Sequence, residues 1–164
     1  MQIDRKAYDP AQHDKYKALC IKQPFADLMT RAEYRDEAGA YHAAKAVEIR
    51  RAETGYRGDV LICAAARPQS PVLQTCCTCG LAELYDVKPV AELTEDEWRD
   101  ACVKDRPATG YAWLFRNPRR VVEMPVKGQP GFYDLVVPKG DITEYPRSVM
   151  IGGEQFEKMR KAFR

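Results

Sequence analysis

Three charged residues at short spacing, Lys45, Glu48 and Arg50, are the part of this chain best suited to chemistry. If Val47 to Arg51 is extended, Glu48 and Arg50 share one face of the strand, while Val47, Ile49 and Arg51 take the other. A carboxylate beside a guanidinium can read the edge of a base: Glu48 accepts from an exocyclic amino group, and Arg50 grips a phosphate or a carbonyl. Lys45 joins them only from a turn that precedes the strand. The plainer alternative is a surface ion pair, worth less than about 1 kcal/mol. As an enzyme, the same group would use Glu48 as general base and Lys45 or Arg50 to stabilise developing negative charge. A carboxylate next to Lys45, however, holds the ammonium charged and removes it as a base.

A second set is aromatic and basic. Tyr111, Trp113 and Phe115 alternate with Ala112, Leu114 and Arg116, so one face of that strand is wholly aromatic. Stacking on such a face contributes about 1–3 kcal/mol per base. Burial in the core is the competing reading, stronger for Phe115 than for Trp113. Arg116, Arg119, Arg120 and Lys127 flank the strand ends, where they meet phosphates or form a solvated basic rim. Arg57 lies beyond the charged segment, and Gln23 and Pro24 open the first helix.

The elements that must position these groups follow from pattern. Residues 1–17 are polar and broken by Asp9-Pro10, an arm lying across the domain. Ala18 to Lys22 reads as the first strand. Pro24 suits the first turn of a helix, and Phe25, Leu28, Met29 and Ala32 recur at helical spacing. Arg31 to Ala46, rich in Ala, Glu and Arg, reads as helix by propensity. Asp59 to Ala65 is apolar on both faces, as a central strand should be, and Ala66 to Thr75 is a loop. Leu81 to Val87 is a strand, and Thr94 with Glu97 forms a capping box that opens a short helix. Tyr111 to Arg116, Val121 to Val126 and Phe132 to Val137 are further strands. Phe156, Met159 and Phe163 mark a last amphipathic helix in an extension spanning residues 139–164. The fold class expected is α+β: a small mixed barrel of about six strands, covering residues 18–138, with two to four peripheral helices.

Bulk composition narrows the function classes. A chain of 164 residues suits one domain, and its 45% hydrophobic and 30% charged residues are ordinary for a globular protein. No apolar run approaches the ~20 residues of a membrane span, and the start lacks the apolar stretch of a signal peptide, so no membrane partner and a cytoplasmic location are expected. Of the six cysteines, Cys20, Cys63 and Cys102 sit in apolar stretches and read as core. Cys76, Cys77 and Cys79 lack a second ligand pair at zinc spacing, and the only histidines are His13 and His42; neither a metal nor another cofactor is expected. A net charge of +2 is too small to capture nucleic acid by long-range field, so any such binding is local.

Five segments in order resemble the signature of ASCH domains, a branch of the PUA-like superfamily. They are Cys20 to Ala26; Lys45, Glu48 and Arg50 as K-x-x-E-x-R; Tyr56 to Ile62; Tyr111-Ala112-Trp113 with Asn117-Pro118; and Pro125 to Gln129 with Phe132-Tyr133. The resemblance implies a PUA-like barrel with a helix over one end and a cleft between that helix and the K-x-x-E-x-R segment. It implies that Lys45, Glu48 and Arg50 line the cleft with Gln23, and that Arg57 and Lys127 sit at its mouth. The ligand implied is a nucleotide, single-stranded RNA or DNA. Related amidohydrolases that deacetylate a modified cytidine carry threonine where this chain has Glu48, and Ala43 stands where the family usually has glycine. A hydrolase acting on RNA or an acylated nucleoside, with Lys45 and Glu48 catalytic, is the second expectation. A third is a protein-recruitment module that uses the added segment Ala32 to Ala44.

Overall fold

The computed structural model describes residues 2–148. The helix expected around Phe156, Met159 and Phe163 lies outside the described residues. Among the described residues, eight strands and two α-helices follow in order: β1 His13–Ile21, α1 Phe25–Thr30, β2 Ala32–Arg35, β3 Tyr41–Ala43, β4 Val47–Arg50, β5 Gly58–Ala64, β6 Cys77–Pro89, α2 Glu95–Ala101, β7 Tyr111–Arg120 and β8 Phe132–Pro138. Six of the strands form one sheet in the order β4-β7-β6-β5-β1-β8, while β2 and β3 form a separate hairpin. The β1–β5 pair is parallel and the other ladders are antiparallel.

The sheet curls into a half-barrel. Trp113 of β7 and Phe132 of β8 belong to strands four places apart in the sheet, yet their rings meet edge to face at 5.3 Å. Curvature gives the central strands two buried faces. Along β5, Val60, Ile62 and Ala64 join one apolar cluster with Leu19, Met29, Trp113 and Phe115; Leu61 and Cys63 join the other with Leu135, Tyr133 and Val121. That is why Asp59 to Ala65 shows no polar alternation. A smaller cluster of Val47, Ala101, Ala112 and Leu114 seats α2 against β4 and β7.

Helix α1 is short because both ends are forced. Pro24 precedes it after a cis Gln23–Pro24 peptide, and Arg31 turns extended (φ −89°, ψ 126°). Leu28 and Met29 are buried as their spacing predicts, but so are Ala26, Asp27 and Thr30. The helix therefore enters the core whole, and its polar groups need internal partners. Gly80 of β6 permits the approach: a Cβ there would lie 2.1 Å from the Arg119 carbonyl oxygen and 2.6 Å from Thr30 Cβ.

Three expected elements are corrected. Arg31 to Ala46 is not helix but the β2–β3 hairpin. Asp36 closes its turn, accepting the Ala40 N–H at 2.9 Å on Oδ1 and pairing with His42 Nε2 at 2.7 Å on Oδ2. Gly39 sits at φ +90°, and Tyr34 stacks on His42 at 4.6 Å. Cross-strand pairing and turn chemistry thus override helix propensity, a weak prior. Val121 to Val126 is no regular strand either: it forms isolated bridges at Val121 and Pro125 and separate backbone bonds to β6, Val121 N to Cys79 O at 3.1 Å and Thr78 N to Met124 O at 2.9 Å. Pro125 has no N–H to give, and the Met124 N–H is taken by Thr78 Oγ1 at 2.9 Å. Lastly, β1 begins at His13 rather than Ala18, its early residues pairing with Asp134–Pro138 of β8. The capping box of α2 forms as the sequence indicates, with Glu97 N donating to Thr94 Oγ1 at 3.2 Å and Thr94 N to Glu97 Oε1 at 2.9 Å. Among the described residues no helix is long and apolar enough to cross a membrane.

Candidate functional site

Lys45 stands at the turn into β4, as its place before the strand requires, and its side chain is 3% exposed. Burying an ammonium demands acceptors. Nζ donates to Val47 O at 2.7 Å and to Ala101 O at 2.6 Å, and Glu48 Oε1 lies 3.6 Å away. Ala101 ends α2, so the cation also faces the negative end of that helix. Lys45 thereby ties α2 to the edge strand. Glu48 does share a face with Arg50, but the two diverge in use. Arg50 lies over the Trp113 ring at 6.0 Å and lines a hollow of about 500 Å³ with Ile49, Thr54, Trp113 and Phe132.

Gln23 does not reach Lys45 through any hydrogen bond; it serves α1 instead. Its Nε2 donates to Asp27 Oδ1 at 3.0 Å and to Gln74 O at 2.9 Å, and its Oε1 accepts the Asp27 N–H at 3.2 Å. Pro24, beside it, is half-buried. Asp27 is the centre of a buried network that sequence reasoning missed. Arg31 Nε donates to Asp27 Oδ2 at 2.9 Å, and Arg120 NH1 reaches Oδ1 at 3.3 Å and Thr30 Oγ1 at 2.9 Å. Arg120 NH2 donates to Glu123 at 3.0 Å. Burial opposes ionisation of Asp27, yet Arg120, the Gln23 amide and Arg31 outweigh it and hold the carboxyl below its ordinary range. The available signal was Asp27 inside an otherwise apolar helix, since a buried carboxylate requires a cation.

The basic residues at the strand ends are largely committed. Arg119 grips Asp59 with both terminal nitrogens and lies 3.6 Å from Glu144. Arg57 is exposed and donates to the Thr54 and Tyr56 carbonyls at 3.0 and 2.8 Å. Lys127 is exposed at the far loop, its backbone N–H bonded to Gln2 Oε1 at 2.8 Å. Trp113 is 3% exposed, and its Nε1 donates to Ala52 O at 3.0 Å. Of the cysteines, Cys63, Cys77, Cys79 and Cys102 are buried, Cys20 is half-buried, and Cys76 is exposed. Among the described residues no group of three or more His, Cys, Asp or Glu side chains is placed to hold a metal ion.

A concavity of about 710 Å³ opens between the β2–β3 hairpin and strands β6 and β7. The β2–β3 hairpin makes one wall with Tyr34, Tyr41 and His42. Strands β6 and β7 make the other with Glu83, Tyr85, Phe115, Arg116 and Asn117, and Met29 of α1 and Lys45 line it as well. Tyr34 and Tyr85 are 50% and 41% exposed, with one ring face of each covered, by His42 and by Arg116. Arg116 pairs with Glu83 through Nε and lies over the Tyr85 ring at 4.9 Å. Arg147, from the segment after β8, also lines the cavity, bonded to Asn117 Oδ1 and 5.5 Å over the Tyr41 ring. The hairpin that sequence propensity assigned to helix is what builds this wall.

No protein-family profile matches the chain, and no curated protein matches it. Among solved structures it is similar to the ASCH protein of Zymomonas mobilis, at 16% identity and a TM-score of 0.43, over 87% of this chain and 90% of that one. A tyrosine-to-phenylalanine mutant of the Zymomonas mobilis protein gives the same identity and TM-score, over 87% of this chain and 94% of that one.

Proposed function

We propose that the protein binds a nucleotide or a short single-stranded RNA, with a base held in the cavity between the β2–β3 hairpin and strands β6 and β7. The observation that carries this reading is a cavity of about 710 Å³ walled by Tyr34, Tyr41, His42 and Tyr85, with two arginines beside it. That volume lies within the range of small-molecule sites, roughly 300–1,000 Å³. Open aromatic faces contribute about 1–3 kcal/mol per stacked base, and arginine supplies phosphate contacts.

The state of Lys45 supports binding over hydrolysis. Its Nζ donates to Val47 O and Ala101 O and lies 3.6 Å from Glu48, so its hydrogen bonds are committed to holding α2 against β4. The added segment Ala32 to Ala44 forms a cavity wall, which favours a ligand site over a recruitment arm.

Binding of the four nucleoside 5′-monophosphates and of fluorescent homo-oligoribonucleotides at low salt tests the proposal. Tyr34→Ala and Tyr85→Ala should each weaken binding by about 5- to 140-fold, the equivalent of one stacking contact. Arg50→Ala, which alters the smaller hollow, should change it by less than about twofold. No binding by the unaltered protein would overturn the reading. A loss in Arg50→Ala with neutral tyrosine variants would move the site to the hollow beside Trp113.

A further inference from the structure

We infer that the ligand of the cavity is phosphorylated, and that Arg116 and Arg147 hold its phosphate from two sides of Asn117; this rests on the nucleotide reading above. Asn117 sits at φ +57° where the β6–β7 ladder slips: Leu81 faces Arg119 and Glu83 faces Arg116, so Asn117 and Pro118 bulge from the pairing. Both residues line the cavity. The bulge thus sets Arg116 and Asn117 at the rim together, as bulges commonly re-aim side chains.

Arg147 arrives by a separate route. The chain after β8 returns along the end of β7, fastened by Val122 N to Thr143 O at 2.8 Å and Tyr145 N to Arg120 O at 2.9 Å. Tyr145 Oη adds a bond to Glu123 Oε2 at 3.0 Å. This run delivers Arg147 to the same Asn117, whose Oδ1 accepts from its NH2.

Each guanidinium is oriented without being used up. Arg116 spends Nε on Glu83 and one face on Tyr85, and its terminal nitrogens have no partner among the described residues. Arg147 spends NH2 on Asn117 and one face on Tyr41. A guanidinium carries five N–H donors in a fixed fork, so both retain donors matched to a phosphate. Lys45, Arg116 and Arg147 outnumber the carboxylates Glu83 and Asp100 among the lining groups. Glu83 competes with an incoming anion for Arg116, which makes it a brake on affinity.

Isothermal titration of the whole chain with each nucleoside, its 5′-monophosphate and inorganic phosphate tests the inference. Monophosphates should bind about tenfold or more tightly than their nucleosides, the effect of one charge-assisted contact. Arg116→Ala and Arg147→Ala should each cut that ratio severalfold while leaving nucleoside affinity within about twofold. Glu83→Gln should raise monophosphate affinity alone, and because it removes a charge without cutting volume it guards against a misfolded arginine variant. Equal binding of nucleoside and monophosphate, or arginine variants that weaken both alike, would overturn the clamp. If inorganic phosphate binds as tightly as the monophosphates, through Arg116 and Arg147, the clamp stands and the base-binding reading falls. If nothing binds, both fall.

Discussion

Replacing Lys45 with methionine separates a structural cation from a ligand-contacting one. Methionine keeps most of the aliphatic stem, so packing beside Phe25, whose ring lies 5.4 Å from Nζ, is largely retained. What is lost is the pair of charge-assisted hydrogen bonds to Val47 O and Ala101 O. Bonds to a charged group contribute about 1.5–3 kcal/mol each, so the gross loss is roughly 3–6 kcal/mol. Relief of the cost of burying an ammonium offsets part of this. Glu48 adds less, because its 3.6 Å contact with Nζ is longer than either hydrogen bond. The expected net destabilisation is about 3 kcal/mol, which for a domain of this size lowers Tm by about 6–12 °C. Urea denaturation at constant m-value reads the change directly, and nucleotide affinity well below Tm should stay within about threefold of the unaltered protein. A variant with an unchanged urea midpoint and abolished binding would refute the reasoning and make Lys45 a ligand group.

Two further outcomes are expected. Asp27 has a carboxyl held below its ordinary value of 3.8, so the stability it contributes is complete above that value and is lost as pH falls through the lower folded-state value. Asp27→Asn should therefore cost about 3 kcal/mol near pH 6, by stripping buried Arg120 of a partner, and should flatten the decline in urea midpoint as pH falls below 3.8; parallel curves for the two proteins would contradict this. Gly80→Ala forces a methyl group against the Arg119 carbonyl and Thr30, both of which are fixed, and should lower Tm by more than about 6 °C. A Tm within about 2 °C of the unaltered protein in a melting scan would show that α1 has room to withdraw.

The sequence by itself determined the elements whose signal is local. Central strand β5 is legible because both of its faces are apolar, and α2 because Thr94 and Glu97 satisfy each other's backbone groups; for β4 periodicity leaves helix end and strand start open, and pairing with β7 decides it. It also brought Lys45 and Glu48 together correctly, since three positions across a turn and a strand start leave them within reach. Tertiary structure alone decided the rest. The segment Arg31 to Ala46 has helical composition, but Asp36, Gly39 and the Tyr34–His42 stack give it a hairpin whose wall makes the cavity. Arg120 and Arg119 look alike in sequence; one is buried against Asp27 because α1 crosses β6 at Gly80, and the other reaches Asp59 on β5. Arg147 stands far from every motif residue along the chain and meets Asn117 only because the segment after β8 folds back along β7. Contacts between residues so distant in sequence leave no periodic trace, because they are set by how a sheet curls and which edge a returning segment finds.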